Sequence, residues 1–382
     1  MNLERLLADE SYRQQEFPVC ERTAFLAHAG VSPLPRCVAE AMERYLEAAT
    51  RANQEDVLPE RTVSETRQLA ANLIGAHPDE IAFTGSTSMG LAMVAAGLAW
   101  QPGDNVVCYR DDYPANVYPW MDLARWGVEV QFVQPAQYGR VTLKDVAQVV
   151  DKRTRLVSLA SVHFVTGWRL DVDAIGKMLR EGGVLFCLDA IQSIGALPTS
   201  VRQVDFAAAD AHKWLLGPLG AAILYVRREC FDRLHPSLIG WSSGPCPGFV
   251  AQDHLQLWPS ARRYEPGSLN LAGIVGLHEA LRMLTDIGIE TIERRVWTLA
   301  RRLVTQCQEA GWRLAGPVED GDLSGIISVW SPDHDVVAWQ ARVSQAGVVT
   351  SLRQNRDGQT YLRASPHFYN TDGEVNRLLE NL

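Results

Sequence analysis

His212 and Lys213 stand side by side in DAHKWLLGPLG, Asp210 to Gly220, an otherwise apolar stretch that runs into a glycine–proline turn. Burial disfavours an ammonium, so a lysine in that setting must pair with a carboxylate or work as a neutral amine. A carboxylate is at hand in Asp189, which ends the apolar run VLFCLDA. Open α/β sheets bind ligands at such strand ends, although Asp there also serves as a plain turn former or helix cap. A lysine and a carboxylate at neighbouring strand ends can hold pyridoxal phosphate (PLP). The lysine forms the Schiff base, and the carboxylate keeps the pyridine nitrogen protonated so that the ring withdraws electrons from a substrate carbanion.

That pair is weak evidence without groups for the phosphate and the ring. STSMG, between a strand-like run and a helix-like one, can turn backbone N–H groups toward an anion. Thr87 and Ser88 add hydroxyls there, though N-capping alone would also account for them. Tyr113, in DDYPANVYPW, follows a strand and precedes a proline, a position suited to stacking on a ring or to ordinary packing. Other motifs fall away. GSTSMG has P-loop glycine spacing but is followed by Leu91 rather than lysine, and no GxGxxG follows the first strand. GWSSG, Gly240 to Gly244, matches a hydrolase elbow, yet Pro245 and Pro247 follow at once and predict a loop.

The elements that must position these groups follow a regular alternation. EIAFTG, NVVCYR, VEVQFVQP, RLVSLASV and VLFCLDA each precede a helical pattern, the last of them IQSIGAL, which predicts parallel βαβ units in a sheet covered on both faces. DFAAADAH and AAILYVR predict two further strands. A Pro/Gly/Trp-rich stretch, about 236–270, reads as loops, and a long helical section follows from about Ala272 to Ala310. SGIISVWS, VVTSLR and TYLRAS predict strands with a helix between the first two, and Thr371 and Glu374 have capping-box spacing. The expected organisation is an N-terminal segment, 1–24, packing on the small domain; a large domain, 25–271; and a linking helix with a small C-terminal α+β domain, 272–382.

Composition narrows the classes. With 382 residues, 47% hydrophobic and 21% charged, the chain is an ordinary globular protein long enough for two domains. A net charge of −9 and the lack of a basic block argue against a nucleic-acid surface. The polar start MNLERLLADE lacks a signal-peptide core, and no apolar run reaches spanning length, so neither export nor membrane insertion is expected and cytoplasmic location is the default. Seven scattered cysteines without a CxxC pair predict neither a disulfide framework nor a metal site, and Cys108 and Cys187 read as small hydrophobes in strands.

VDFAAADAHKWLLGPLGAAIL closely resembles the lysine signature of class V aminotransferases, the fold-type-I PLP family that includes cysteine desulfurases. LAHAGVSPLP, FTGSTSMG, DYPANVYPW, CLDAIQ, RYEPGSLN and LRASPHFYNTDGEV appear in the family's order, from about residue 25 to the carboxyl terminus. The chain looks most like the isopenicillin-N-epimerase-like branch, which holds epimerases, carbon–sulfur lyases and uncharacterised aminotransferases. The resemblance implies a fold-type-I PLP-dependent transferase: a large domain with a mainly parallel sheet flanked by helices, and a smaller C-terminal α+β domain.

The resemblance also implies roles. Lys213 would be the Schiff-base lysine and Asp189 the partner of the pyridine nitrogen. Gln192 would bond the ring hydroxyl, and Tyr113 would stack on the ring. Thr87, Ser88 and His212 would hold the phosphate, and Ser268 would reach the phosphate of the neighbouring subunit of a homodimer. Arg363 would bind the substrate's α-carboxylate through its two-pronged guanidinium; a surface salt bridge is its plain alternative.

Two departures matter. Asp210 stands where the signature usually has a small residue, and an acid there would repel phosphate unless it points away or pairs with a cation. The loop SLRQNRDGQTY lacks the cysteine that desulfurases carry before the carboxylate-binding arginine, and Cys246 lies outside that block. The expected function is a PLP enzyme acting on a small α-amino acid. A β-eliminating carbon–sulfur lyase leads, followed by an aminotransferase, an epimerase and a non-catalytic PLP-binding regulator. Loops around 20–60 and 236–262 are expected to set specificity.

Overall fold

The computed structural model describes residues 1–381. After a short strand β1 (Ala24–Phe25) come β2 (Ile81–Thr84), β3 (Asn105–Tyr109), β4 (Glu129–Val133), β5 (Thr154–Ala160), β6 (Leu185–Asp189), β7 (Phe206–Asp210) and β8 (Ala222–Val226). The last seven form one sheet in the order β2-β8-β7-β6-β5-β3-β4. Strands β3 to β7 pair in parallel, whereas β8 runs antiparallel to both β2 and β7. The architecture is that of a fold-type-I enzyme, α/β with a mainly parallel central sheet.

Strand alternation divides the apolar residues between two faces. Val107, Tyr109, Val157, Leu159, Phe186 and Leu188 join one core cluster, and Val106, Cys108, Leu156, Leu185 and Cys187 join the other. Cys108 and Cys187 fill space there as small hydrophobes, fully buried. With both faces covered, ligands are left the carboxyl edge of the sheet.

Two expectations about elements fail. IQSIGAL forms turns, not a helix. Gly195 within it has φ +99°, and a Cβ would lie 2.4 Å from the Trp214 carbonyl oxygen, so only glycine lets this turn press on the lysine loop. The long helical section is two helices, Leu271–Ile287 and Ile289–Glu309, separated at Gly288, whose φ is +86°.

Beyond the second of these helices lie β9 (Arg313–Leu314), β10 (Ile327–Trp330), β11 (Val348–Val349), β12 (Ser351–Gln354) and β13 (Thr360–Ala364). Four of them make an antiparallel sheet in the order β12-β13-β10-β9, and β11 pairs in parallel with β1. The terminal helix Asp372–Leu379 opens with the expected capping box: Glu374 N donates to Thr371 Oγ1 at 3.2 Å, and Thr371 N to Glu374 Oε2 at 2.8 Å. The N-terminal segment bridges regions. Leu6 and Phe17 enter the core beneath the large sheet, while Arg13 pairs with Glu374 at 3.0 Å and Phe17 stacks on Tyr369 at 3.9 Å. Among the described residues no helix is long and apolar enough to cross a membrane.

Candidate active site

Lys213 lies just beyond β7 in a loop held from several directions. Ser32 donates from its N–H to the His212 carbonyl and from its hydroxyl to the Lys213 carbonyl, both at 2.8 Å. His367 Nε2 meets the Trp214 carbonyl at 2.9 Å, and Leu216 N donates back to Lys213 O at 3.1 Å. Leu216 closes this turn at φ +57°, a left-handed conformation that costs a side chain-bearing residue about 1 kcal/mol or more and persists only where its surroundings enforce it. The lysine is only 9% exposed.

Burial sets the electrostatics. It pulls the Lys213 amine down to about 8, against the opposing pull of Asp189. It pushes Asp189, at the end of β6, up to about 6, although the Ile191 N–H at 3.1 Å and Lys213 favour its anion. Asp112, which sequence reasoning passed over, is buried nearby and driven up to about 7, first by burial and then by the charge of Asp189. Three perturbed groups at one sheet edge make it the candidate site.

Asp112 also shapes the adjoining turn. It accepts from Tyr113 N at 2.9 Å, from Ala160 N at 3.0 Å and from Asn116 Nδ2 at 3.0 Å, tying that turn to the end of β5. Tyr113 is thereby placed with its ring centroid 5.4 Å from Lys213 Nζ, edge-to-face with Phe164 at 5.4 Å. The ring is 47% exposed, which leaves area for a planar group to cover.

Gln192 is oriented by a residue beside the lysine. The Trp214 indole N–H can only donate, and it reaches Gln192 Oε1 at 2.8 Å. The amide nitrogen must then face the other way, where it donates to Ala29 O at 3.1 Å and keeps one hydrogen for a further acceptor.

At the anion end, Ser86 rather than Thr87 or Ser88 caps the helix Thr87–Gly97, with its hydroxyl accepting from Met89 N at 3.1 Å. Thr87 is buried and its Oγ1 accepts from Asp210 N at 2.9 Å, which leaves the hydroxyl hydrogen to donate elsewhere. Ser88 is exposed on the first turn. Asp210 Oδ1 lies 3.1 Å from His212 Nδ1, so the acid is turned toward the imidazole.

Arg363, on β13, is 1% exposed and no surface salt bridge. Its Nη1 donates to Phe164 O at 2.5 Å, while Nε and Nη2 have no partner. Buried donors without acceptors are costly, and a carboxylate matches the free edge of this fork. Ser268 is exposed on a segment fixed at both ends. Before it, buried Glu265 takes both Arg67 nitrogens at 2.7 and 3.1 Å and the Phe83 N–H at 2.8 Å; after it, Asn270 caps the helix from Leu271.

This donor set fits PLP: a carboxylate for a ring nitrogen, an amine, an open aromatic face, an amide donor, and hydroxyls at a helix start for a phosphate. Sequence reasoning missed Asp112 and Trp214. Asp112 stands three residues beyond the end of β3, in a turn where an acid is ordinary, and Trp214 needed the loop contacts.

Known proteins agree. A probable cysteine desulfurase of Methanothermobacter thermautotrophicus is 32% identical over 391 residues, covering 97% of this chain and 96% of the relative. The apo structure of the cysteine desulfurase from Thermococcus onnurineus NA1 is similar with a TM-score of 0.88 and 27% identity, covering 97% of this chain and 96% of that one. The cystine C–S lyase C-DES, in complex with cysteine persulfide, has a TM-score of 0.85 over 95% of this chain and 98% of its own, and at 22% identity shares the fold. The aminotransferase class-V family model matches residues 24–378, and with that nearly end-to-end match the chain belongs to the class V aminotransferase family of PLP-dependent, desulfurase-like enzymes.

Proposed function

We propose that this protein is a β-eliminating carbon–sulfur lyase, of the isopenicillin-N-epimerase-like branch, that cleaves a small sulfur-substituted α-amino acid without a desulfurase cysteine. The observation that carries the reading is the wall beside Arg363. Its strand pair presents Ser351, Arg353 and Tyr361 toward the arginine's side of the hairpin, and no thiol. Burial raises Cys20, Cys37, Cys108, Cys187, Cys230 and Cys307, which disfavours thiolates. Cys246, half-buried at the edge of a short turn, lies outside this wall. With no acceptor thiol, sulfur leaves as a free thiol.

When bound, PLP supplies an electron sink for the charge that develops at the substrate's Cα. Asp189 would hold the proton on its ring nitrogen, Tyr113 would cover its ring and Gln192 would donate to its hydroxyl. Thr87, Ser88 and His212 would hold its phosphate. Arg363 grips the substrate carboxylate through Nε and Nη2, which aims the Cα–H bond at Lys213. The Lys213 amine, drawn down to about 8, is partly neutral near pH 7 and accepts that proton. The C–S bond then breaks with its electron pair on sulfur. Overall, a sulfur-substituted cysteine and water give a thiol, pyruvate and ammonia.

The active unit is a homodimer in which Ser268 reaches the partner's phosphate. Its support is an exposed apolar set, Trp241, Phe249, Val250 and Leu255, with Phe249 78% exposed and its ring 5.5 Å from that of Trp241. A monomeric mass in solution at micromolar concentration would contradict the dimer. An aminotransferase is the second reading, favoured by the same Lys213 and Arg363 geometry. Ammonia release without any keto acid separates the two.

A further inference from the structure

Strands β12 and β13 pair antiparallel, with Ser351 opposite Arg363 and Arg353 opposite Tyr361. Opposed residues share a face of a sheet, and so do residues two apart along a strand. Arg353 therefore lies on the face of Arg363, on the diagonal, where Cα atoms are about 7–8 Å apart. That face meets the site: a Cβ on Gly30 would lie 3.9 Å from both Arg363 Nη2 and Ser351 Oγ. Arg353 also lies within electrostatic reach of the Tyr113 hydroxyl and of Lys213.

Both guanidinium groups are short of anions. Arg353 donates from Nη1 only to the carbonyl of its neighbour Leu352, at 2.7 Å, and no carboxylate pairs with it among the described residues. Burial lowers both arginines, and the charge of Arg353 lowers Arg363 further. Two partly desolvated like charges on one face are unfavourable until an anion joins them. One α-carboxylate satisfies the free Nε and Nη2 of Arg363 and leaves Arg353 without a partner.

We infer that Arg353 is a specificity-determining residue that reads a second acidic group, a carboxylate at the far end of the substrate's side chain. The inference rests on the reading of Arg363 as the α-carboxylate site. The substrate class is then an α-amino acid with an acidic side chain, such as an S-carboxyalkyl cysteine, rather than an S-alkyl one. A charged hydrogen bond to this partly buried arginine corresponds to about a 10- to 100-fold gain in affinity.

The test measures equilibrium binding, not turnover, so it is independent of lyase against aminotransferase. PLP-loaded protein is titrated with adipate or pentanoate, which have no amine to react, and binding is read from the shift of the visible cofactor band and by calorimetry. Adipate is expected to bind about 10- to 100-fold more tightly than pentanoate. Arg353→Gln should abolish that preference while leaving pentanoate within a few-fold, and Arg353→Lys should keep part of it. No preference in the parent protein, or a preference that survives Arg353→Gln, overturns the inference. Pentanoate binding unchanged in Arg363→Gln would instead overturn the carboxylate assignment of Arg363. Should Arg353→Gln not fold, the parent preference and its reduction in Arg353→Lys still decide.

Discussion

Asp210 Oδ1 and His212 Nδ1 face each other at 3.1 Å, both buried and neither in hydrogen-bond geometry with any group. The acid that replaces a small residue is thus turned onto the histidine, and its N–H holds the Thr87 hydroxyl at 2.9 Å. With Nδ1 facing the carboxylate, Nε2 is the nitrogen His212 can present to an anion. Asp210→Ala keeps the backbone N–H that holds Thr87 but frees the His212 ring, which should weaken PLP binding about tenfold. Cofactor retention during dialysis, read by absorbance, checks this. Tighter retention in the variant would mean that the acid acts mainly by repelling phosphate.

Lys213→Ala should abolish turnover and remove the visible absorbance of lysine-bound cofactor. An unchanged spectrum after free PLP is dialysed away would end the assignment.

Asp189→Asn should lower turnover about 100-fold or more, the scale of a lost positioned proton-holding group. It should also stabilise the cofactor-free protein in a pH-dependent way. Burial raises the folded Asp189 to about 6 from its ordinary 3.8, so its contribution is fully present below 3.8 and lost as pH rises through about 6. The variant, having no such charge, should gain about 1–3 kcal/mol at pH 8 and less at pH 5. Denaturant melts of the apo forms at both pH values measure it. An equal effect at both would show that the carboxylate's charge is not the cause.

Much of this was legible from sequence because the signals were local. Uninterrupted apolar runs gave β3, β5, β6 and β7, and an acid at the end of such a run gave Asp189. Thr371 and Glu374 announced their helix start by spacing alone. IQSIGAL misled because an apolar segment beside a strand resembles a helix. What prevents one is Gly195 against the Trp214 carbonyl, a contact with residues far along the chain. Arg353 was hidden for a similar reason. Its side of the hairpin follows from the pairing of Ser351 with Arg363, which no single strand reveals. Specificity was expected of loops around 20–60, yet much of that span is the helix Arg36–Ala49.

Serine in place of each cysteine, Cys246 included, should leave activity within a few-fold. Loss of turnover in one variant, with a persulfide trapped on that residue in the parent enzyme, would restore a desulfurase.

The lyase claim turns on where the amino-acid nitrogen goes. In elimination it leaves as ammonia and the cofactor returns to its aldehyde form. In transamination it stays on the cofactor until a keto acid collects it. The measurement offers S-substituted cysteines with no keto acid present and follows ammonia and the cofactor's absorbance together. Sustained ammonia release over many turnovers, with the aldehyde form regenerated, is the expected result. A single stoichiometric conversion to pyridoxamine phosphate, restarted only by added pyruvate or 2-oxoglutarate, would contradict the lyase and establish the aminotransferase.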